Sequence, residues 1–304
     1  MRNRRTPPFA LVILACLGIL AAACAPAAGY GRRPAPNGPA LRDIVFPVGV
    51  EVSFSDTFGA PRGGGTRSHE GQDLMAPKMT PLVATTDGVV SWLRWSNAGN
   101  AGNMLVLRDS AGWEYWYIHM NNDTPGTDDA KNRYDNAFAD GIRDGQPVKA
   151  GEVIGYVGDS GNAENTGSHV HFEMHDPDGN PVNSFNTLAH AELRVRTAAQ
   201  IAADRPSGNL ETVTRSGSSV TLEGWGLDAH SNSSIDVTAL VNGNPARTTT
   251  ANIDRPDVEA ANPGRGSRHG FSLGTVTAPS GAEVCVVLHS VGGGGNTRLP
   301  CRTV

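Results

Sequence analysis

Thr166-Gly167-Ser168-His169-Val170-His171-Phe172-Glu173 is the stretch on which the reading of this chain turns. His169 and His171 stand two apart, interleaved with Val170 and Phe172. In an extended strand both imidazoles therefore point to one face and both apolar side chains to the other. One face packs and the other coordinates. A lone His-x-His is as much at home on a half-buried strand that binds nothing, so residues elsewhere must decide.

Working outward, Ser68-His69-Glu70-Gly71-Gln72-Asp73-Leu74 sets a histidine and an aspartate four apart. A helix would bring them to one face. Gly71, the glycines at 63 to 65 and Pro77 argue instead for a loop entering a strand. A His-Glu-x-x-His zinc helix with Glu70 as base fails on the same composition and on Asp at position 73, leaving Glu70 as a surface residue. In Trp113 to Met120 the period of two puts Trp113, Tyr115, Tyr117 and His119 on one face, an aromatic wall ending in a histidine. The plain alternative is a core strand whose last residue is merely exposed.

The surrounding segments read as short strands. They are Val45–Phe58, the run Val83–Trp92 split by the turn Asp87-Gly88, the hairpin Met104–Arg108 with Trp113–Met120, and Val148–Val157. Residues 121–145 are too long and polar for a tight connection, so they are expected to wall a groove. Asp123, Asp128 and Asp129 lack the spacing of a calcium loop and read as a solvated face. Leu188–Ala203 has a loose helical pattern before Pro206 and is expected to connect two domains as a helix. Beyond Ser207, Val/Thr-rich runs at Val220–Trp225, Ile235–Val241, Phe271–Val276 and Val284–His289 point to a small antiparallel sandwich. His230, His269 and His289 there have no partner at coordinating spacing and read as structural or exposed.

Three hundred and four residues accommodate about two compact cores. The net charge of -5, with no basic run beyond the extreme N-terminus, gives a nucleic-acid partner no electrostatic support. Arg2, Arg4 and Arg5 precede an apolar run, Phe9 to Ala23, too short to span a membrane, which reads as an export signal over residues 1–24. Ala21-Ala22-Ala23-Cys24 resembles a lipobox with Leu20 one position early. The expectation is a lipoprotein anchored through Cys24 to the outer face of the cytoplasmic membrane, with ordinary secretion as the rival. Residues 25–43 have the Pro/Gly/Ala composition of a tether. Cys16 and Cys24 belong to the signal, leaving Cys285 and Cys301 to pair in an oxidising compartment.

His69, Asp73 and His171 together supply two imidazoles and a carboxylate, a set suited to tetrahedral zinc with an open fourth site. His119 and His169 remain as candidates to move a proton and to stabilise developing charge. At this point Ser-His-Glu-Gly-Gln-Asp-Leu-Met-Ala-Pro, Tyr-Ile-His-Met and Gly-Ser-His-Val-His-Phe-Glu, in that order, resemble the lysostaphin and LytM type of zinc endopeptidase that cuts peptidoglycan. The resemblance covers roughly residues 45 to 186. It implies an all-β, antiparallel, duplicated-hybrid-motif-like domain over 44–186, and a linker over 187–207 leads to the sandwich over 208–304. It implies one zinc ion on His69, Asp73 and His171, with zinc-activated water attacking a peptide of the cell wall. His119 and His169 inherit the catalytic roles. Met120 stands where Leu is common, a swap of similar volume, and the loop after His119 is long. The last domain resembles a sandwich that recurs at the C-termini of secreted actinobacterial proteins, where a wall-binding or spacing role is expected. A non-catalytic LytM-like protein that binds the wall or activates another hydrolase is the competing function, and the intact set of five residues argues against it.

Overall fold

The computed structural model describes residues 30–228 and 230–304. The export signal, Cys16, Cys24 and the first residues of the expected tether lie outside the described residues. The fold is all-β and antiparallel. Five strands carry its first half: β1 (Gly71–Met75), β2 (Gly88–Arg94), β3 (Asn103–Arg108), β4 (Glu114–Met120) and β5 (His169–His175). They share one seven-stranded sheet in which β5 lies between β4 and β1, while β3 and β2 continue beyond β4. The short strands Pro147–Val148 and Pro181–Val182 finish the two edges.

Alternation decides the faces. Val170, Phe172 and Met174 of β5 and Tyr115 and Tyr117 of β4 are fully buried in one core with Phe46, Leu82 and Leu107. Phe172 stacks on Tyr115 at a ring separation of 6.5 Å and meets Tyr117 edge-on at 5.4 Å. The hydroxyl of Tyr117 donates to Val83 O, so even this buried polar atom is satisfied.

Several expectations change. Val45–Phe58 packs its valines inward but forms isolated bridges rather than a strand. Pro81–Val83 and β2 flank the Asp87-Gly88 turn without pairing, because Pro81–Val83 joins Val153–Tyr156 instead. From Tyr30 onward the segment read as a tether lies against the domain. Arg33 pairs with Glu51 at 2.7 Å, and the Leu41 amide donates to Thr187 Oγ1. The expected connecting helix is two helices, α1 (Phe185–His190) and α2 (Ala198–Asp204). Thr197 breaks the run by starting α2 with a capping box shared with Gln200.

The second half forms a sandwich with its own core. Strands β6 (Ser207–Ser216), β7 (Ser219–Leu227) and β10 (Arg268–Thr277) make one sheet. Strands β8 (Asp236–Val241), β9 (Asn244–Thr250) and β11 (Glu283–Leu288) make the other. Asn242 and Gly243 turn β8 into β9 with φ values of 50° and 80°, the left-handed pair that a two-residue hairpin demands. Cys285 and Cys301 are disulfide-bonded. Closing that short loop contributes about 3 kcal/mol in the chain-entropy picture. The two halves meet at polar seams: Arg143 pairs with Asp236 at 2.8 Å, and the Gly294 amide donates to Glu152 at 2.8 Å.

Candidate metal centre

Sheet register assembles the first part of the site. His171 of β5 stands directly opposite Asp73 of β1, so the two side chains rise from the same face as cross-strand neighbours. His69, two residues before β1, is buried beside them. His69 Nε2, Asp73 Oδ1 and His171 Nδ1 lie 2.8 to 3.0 Å from one another. Glu70 is exposed and on no helix.

The outer contacts of these residues fix what they offer. His69 Nδ1 faces Thr57 O at 3.0 Å, and a carbonyl only accepts, so that nitrogen carries the proton and Nε2 presents a lone pair. His171 Nε2 faces Glu173 Oε1 at 2.8 Å and donates to it, which turns the lone pair of Nδ1 toward Asp73. Glu173 in turn binds His175 Nε2 at 2.8 Å. Three electron-rich atoms thus converge with no donor among them, the arrangement a cation satisfies. Burial lowers the pKa of His171, but its hydrogen bonds to Asp73 and Glu173 prevail and raise it. Burial would raise Asp73 and Glu173; the histidines prevail there too, holding Asp73 well below the carboxylate range and Glu173 at about 2. The donor set therefore fits a metal of the zinc type.

His119 arrives differently. Between β3 and β4 the register runs Asn103 to Met120 but Leu105 to Tyr117, two steps on one strand against three on the other. This is a bulge, and His119 sits in it with φ at 64°, a left-handed value uncommon for any residue but glycine. The expectation that His119 shares a face with Tyr115 and Tyr117 is therefore corrected. Those tyrosines enter the core, whereas the bulge turns His119 to the opposite face, beside His169 at a ring separation of 5.0 Å. His119 Nδ1 donates to Ser160 O at 2.8 Å and His169 Nδ1 to Gly167 O at 2.7 Å, so both rings turn Nε2 away from these carbonyls, that of His169 to 3.9 Å from Asp73 Oδ1. Burial, reinforced by the charge of His169, pushes His119 down to about 4, so it is neutral at ordinary pH.

All five residues line one cleft of about 540 Å³, with Arg62 donating to Asp73 Oδ2 at 2.9 Å. Its walls are Asn100–Ala101 and, from the following segment, Asn162, Ala163, Thr166 and Gly167. No residue of 121–145 lines it, which corrects the expectation that this loop walls the groove. The loop instead stands behind the walls: Asn122 donates to Glu164, and Ala130 O accepts from Asn97. Asp123 and Asp128, read as a solvated face, gather with Asp159 around the ammonium of Lys78. Arg62, Ser160 and Lys78 were absent from the sequence reading because only folding brings them close. Glu173 and His175 were detectable, since they continue the period of two from His171.

Part of the chain is similar to known proteins. The sequence pattern of Peptidase family M23 matches residues 67–184. An L-Ala–D-Glu endopeptidase of Bacillus subtilis (strain 168) is 33% identical over 151 residues, covering 48% of this chain and 41% of that protein. A peptidoglycan DD-endopeptidase of Vibrio cholerae is 29% identical over 125 residues, covering 41% of this chain and 24% of that protein. The chain spans less than half the length of either curated relative. Among solved structures, the catalytic domain of lysostaphin from Staphylococcus simulans is 26% identical with a TM-score of 0.32, covering 41% of this chain and 80% of that one.

Proposed function

We propose that the chain, whose residues 67–184 match the pattern of Peptidase family M23, is a zinc-dependent endopeptidase that hydrolyses peptide crosslinks or stem peptides of bacterial peptidoglycan. The observation that carries the reading is the convergence of His69 Nε2, Asp73 Oδ1 and His171 Nδ1, three possible ligand atoms 2.8 to 3.0 Å from one another. These residues would hold one zinc ion, which supplies Lewis acidity to a carbonyl and acidity to water.

The chain's own residues do the rest. His119 is neutral and its Nδ1 is tied to Ser160 O, so Nε2 accepts the proton of the attacking water and returns it to the leaving amine. His169, whose ring stands beside that of His119, stabilises the oxygen on which charge develops. Glu173 orients His171 by accepting its far N–H, and Arg62 occupies the oxygen of Asp73 that the site does not use.

An exported, envelope-bound life fits this substrate, through the signal at 1–24 and lipidated Cys24, and the Cys285–Cys301 disulfide suits an oxidising compartment. The sandwich over 208–304 serves the wall as a spacer or binding module. The test is digestion of purified sacculi by the zinc-loaded protein, with mass spectrometry of the released fragments. Peptide cleavage that stops on chelation and returns with zinc is expected. A zinc-loaded protein that binds sacculi without releasing peptides would instead be a non-catalytic relative.

A further inference from the structure

Lys78 sits in the turn after β1, and its Nζ lies 2.7 Å from Asp123, 2.6 Å from Asp128 and 2.8 Å from Asp159. The ammonium donates to Asp123 and Asp128 and forms an ion pair with Asp159, so three carboxylates converge on one charge. The cluster has the composition of a cation site, and the cation is built into the chain.

What the cluster joins gives it a role. Asp123 and Asp128 belong to the loop that follows His119, and Asp123 Oδ1 closes that loop by accepting from the Ala130 amide at 2.7 Å. Asp159 immediately precedes Ser160, whose carbonyl takes the Nδ1 hydrogen of His119 at 2.8 Å. The Ser160 hydroxyl donates to Met120 O at 2.6 Å and accepts from the Asn103 amide at 2.9 Å, gripping both strands of the bulge. One ammonium therefore ties the segment before the bulge's clamp to the segment after the bulge itself. His119 needs such a restraint, because its left-handed backbone is held only if the surroundings impose it.

We infer that Lys78 is a positioning residue for His119: its ammonium binds Asp159 to the 121–132 loop so that Ser160 holds the His119 ring in one tautomer and orientation. The inference rests on the catalytic role proposed above for His119. Asp123 and Asp159 are buried, so without Lys78 two carboxylates face each other and must separate or take up a proton.

The test uses the zinc-loaded full chain with Lys78→Met and, as a variant that keeps the ammonium but drops one link, Asp159→Asn. For both, turnover on sacculi should fall about tenfold or more with zinc content and KM unchanged, a split expected when a catalytic group is misplaced. Independently of turnover, nitrogen NMR of His119 should show Nδ1–H in the unaltered chain and a mixture of tautomers in Lys78→Met. Hydrogen exchange should quicken at 121–132 and 159–161 but not at β1 or β5. Calcium added to Lys78→Ala should refill the three carboxylates and recover exchange protection. Unchanged His119 tautomer and local exchange in both variants would overturn the inference. Altered NMR and exchange in a chain that never cleaves sacculi would leave the clamp standing and remove the catalytic reading.

Discussion

Two neighbouring strands deliver histidines to one cleft by opposite means. β5 keeps strict alternation, so His169 and His171 reach the site through the pleat alone while Val170 and Phe172 fill the core. β4 keeps it only as far as Ile118 and then bulges, so His119 reaches the site by breaking the pattern that buries Tyr115 and Tyr117. The first route is cheap and follows from spacing. The second costs backbone strain of order 1 kcal/mol or more and depends on groups far along the chain. The two routes should therefore fail differently.

The largest effect belongs to the regular strand. Either His171→Ala or Asp73→Asn removes one of three ligands, so bound zinc should fall from about one per chain toward zero and cleavage with it. Elemental analysis decides, and a zinc-replete His171→Ala would end the proposed coordination. Next, His119→Ala should keep its zinc while turnover drops on the order of 10²-fold to 10⁴-fold. Near-normal cleavage would return His119 to the status of a strand end.

A subtler variant leaves every site residue in place. Gly158 packs against the backbone just beyond the bulge, where an added Cβ would stand 2.3 Å from Asn121 Cα and 2.6 Å from its nitrogen. Gly158→Ala should displace His119, lowering turnover about tenfold and stability by about 1–3 kcal/mol at unchanged zinc content. Equal loss of zinc would mean the two strands are not separable.

The smallest effect on catalysis comes from another buried histidine, remote from both strands. His289 lies where the sandwich meets the first half, with Arg143 and Asp236 as its charged neighbours and Arg298 and Asp140 across the same cavity. Burial, aided by Arg143, pushes it down from 6.5 to about 3. Folded protein then binds no proton there while unfolded chain does below about pH 6.5, so stability is full above that pH and falls as pH drops toward 3. The loss is about 2 kcal/mol at pH 5, estimated from the unfolded-state titration alone. His289→Gln should flatten that part of the denaturant-midpoint profile and leave neutral-pH cleavage unchanged. An unaltered slope would show that His289 titrates normally.

Much of this was legible in the chain itself. His-x-His on an alternating strand, His69 and Asp73 entering another, the aromatic core of β4, the Asn242-Gly243 hairpin and the cysteine pair all follow from local periodicity or from simple elimination. Those rules act over a few residues, and so they read what neighbours in sequence impose. The tertiary structure decided the rest. It set Asp73 opposite His171, turned His119 across its strand, moved 121–145 behind the walls and placed Lys78 among three carboxylates. Each of these depends on groups tens of residues apart. A bulge is a one-residue slip between paired strands, and a buried ammonium is stable only where its carboxylates converge. Neither leaves a mark in the spacing of the residues it governs.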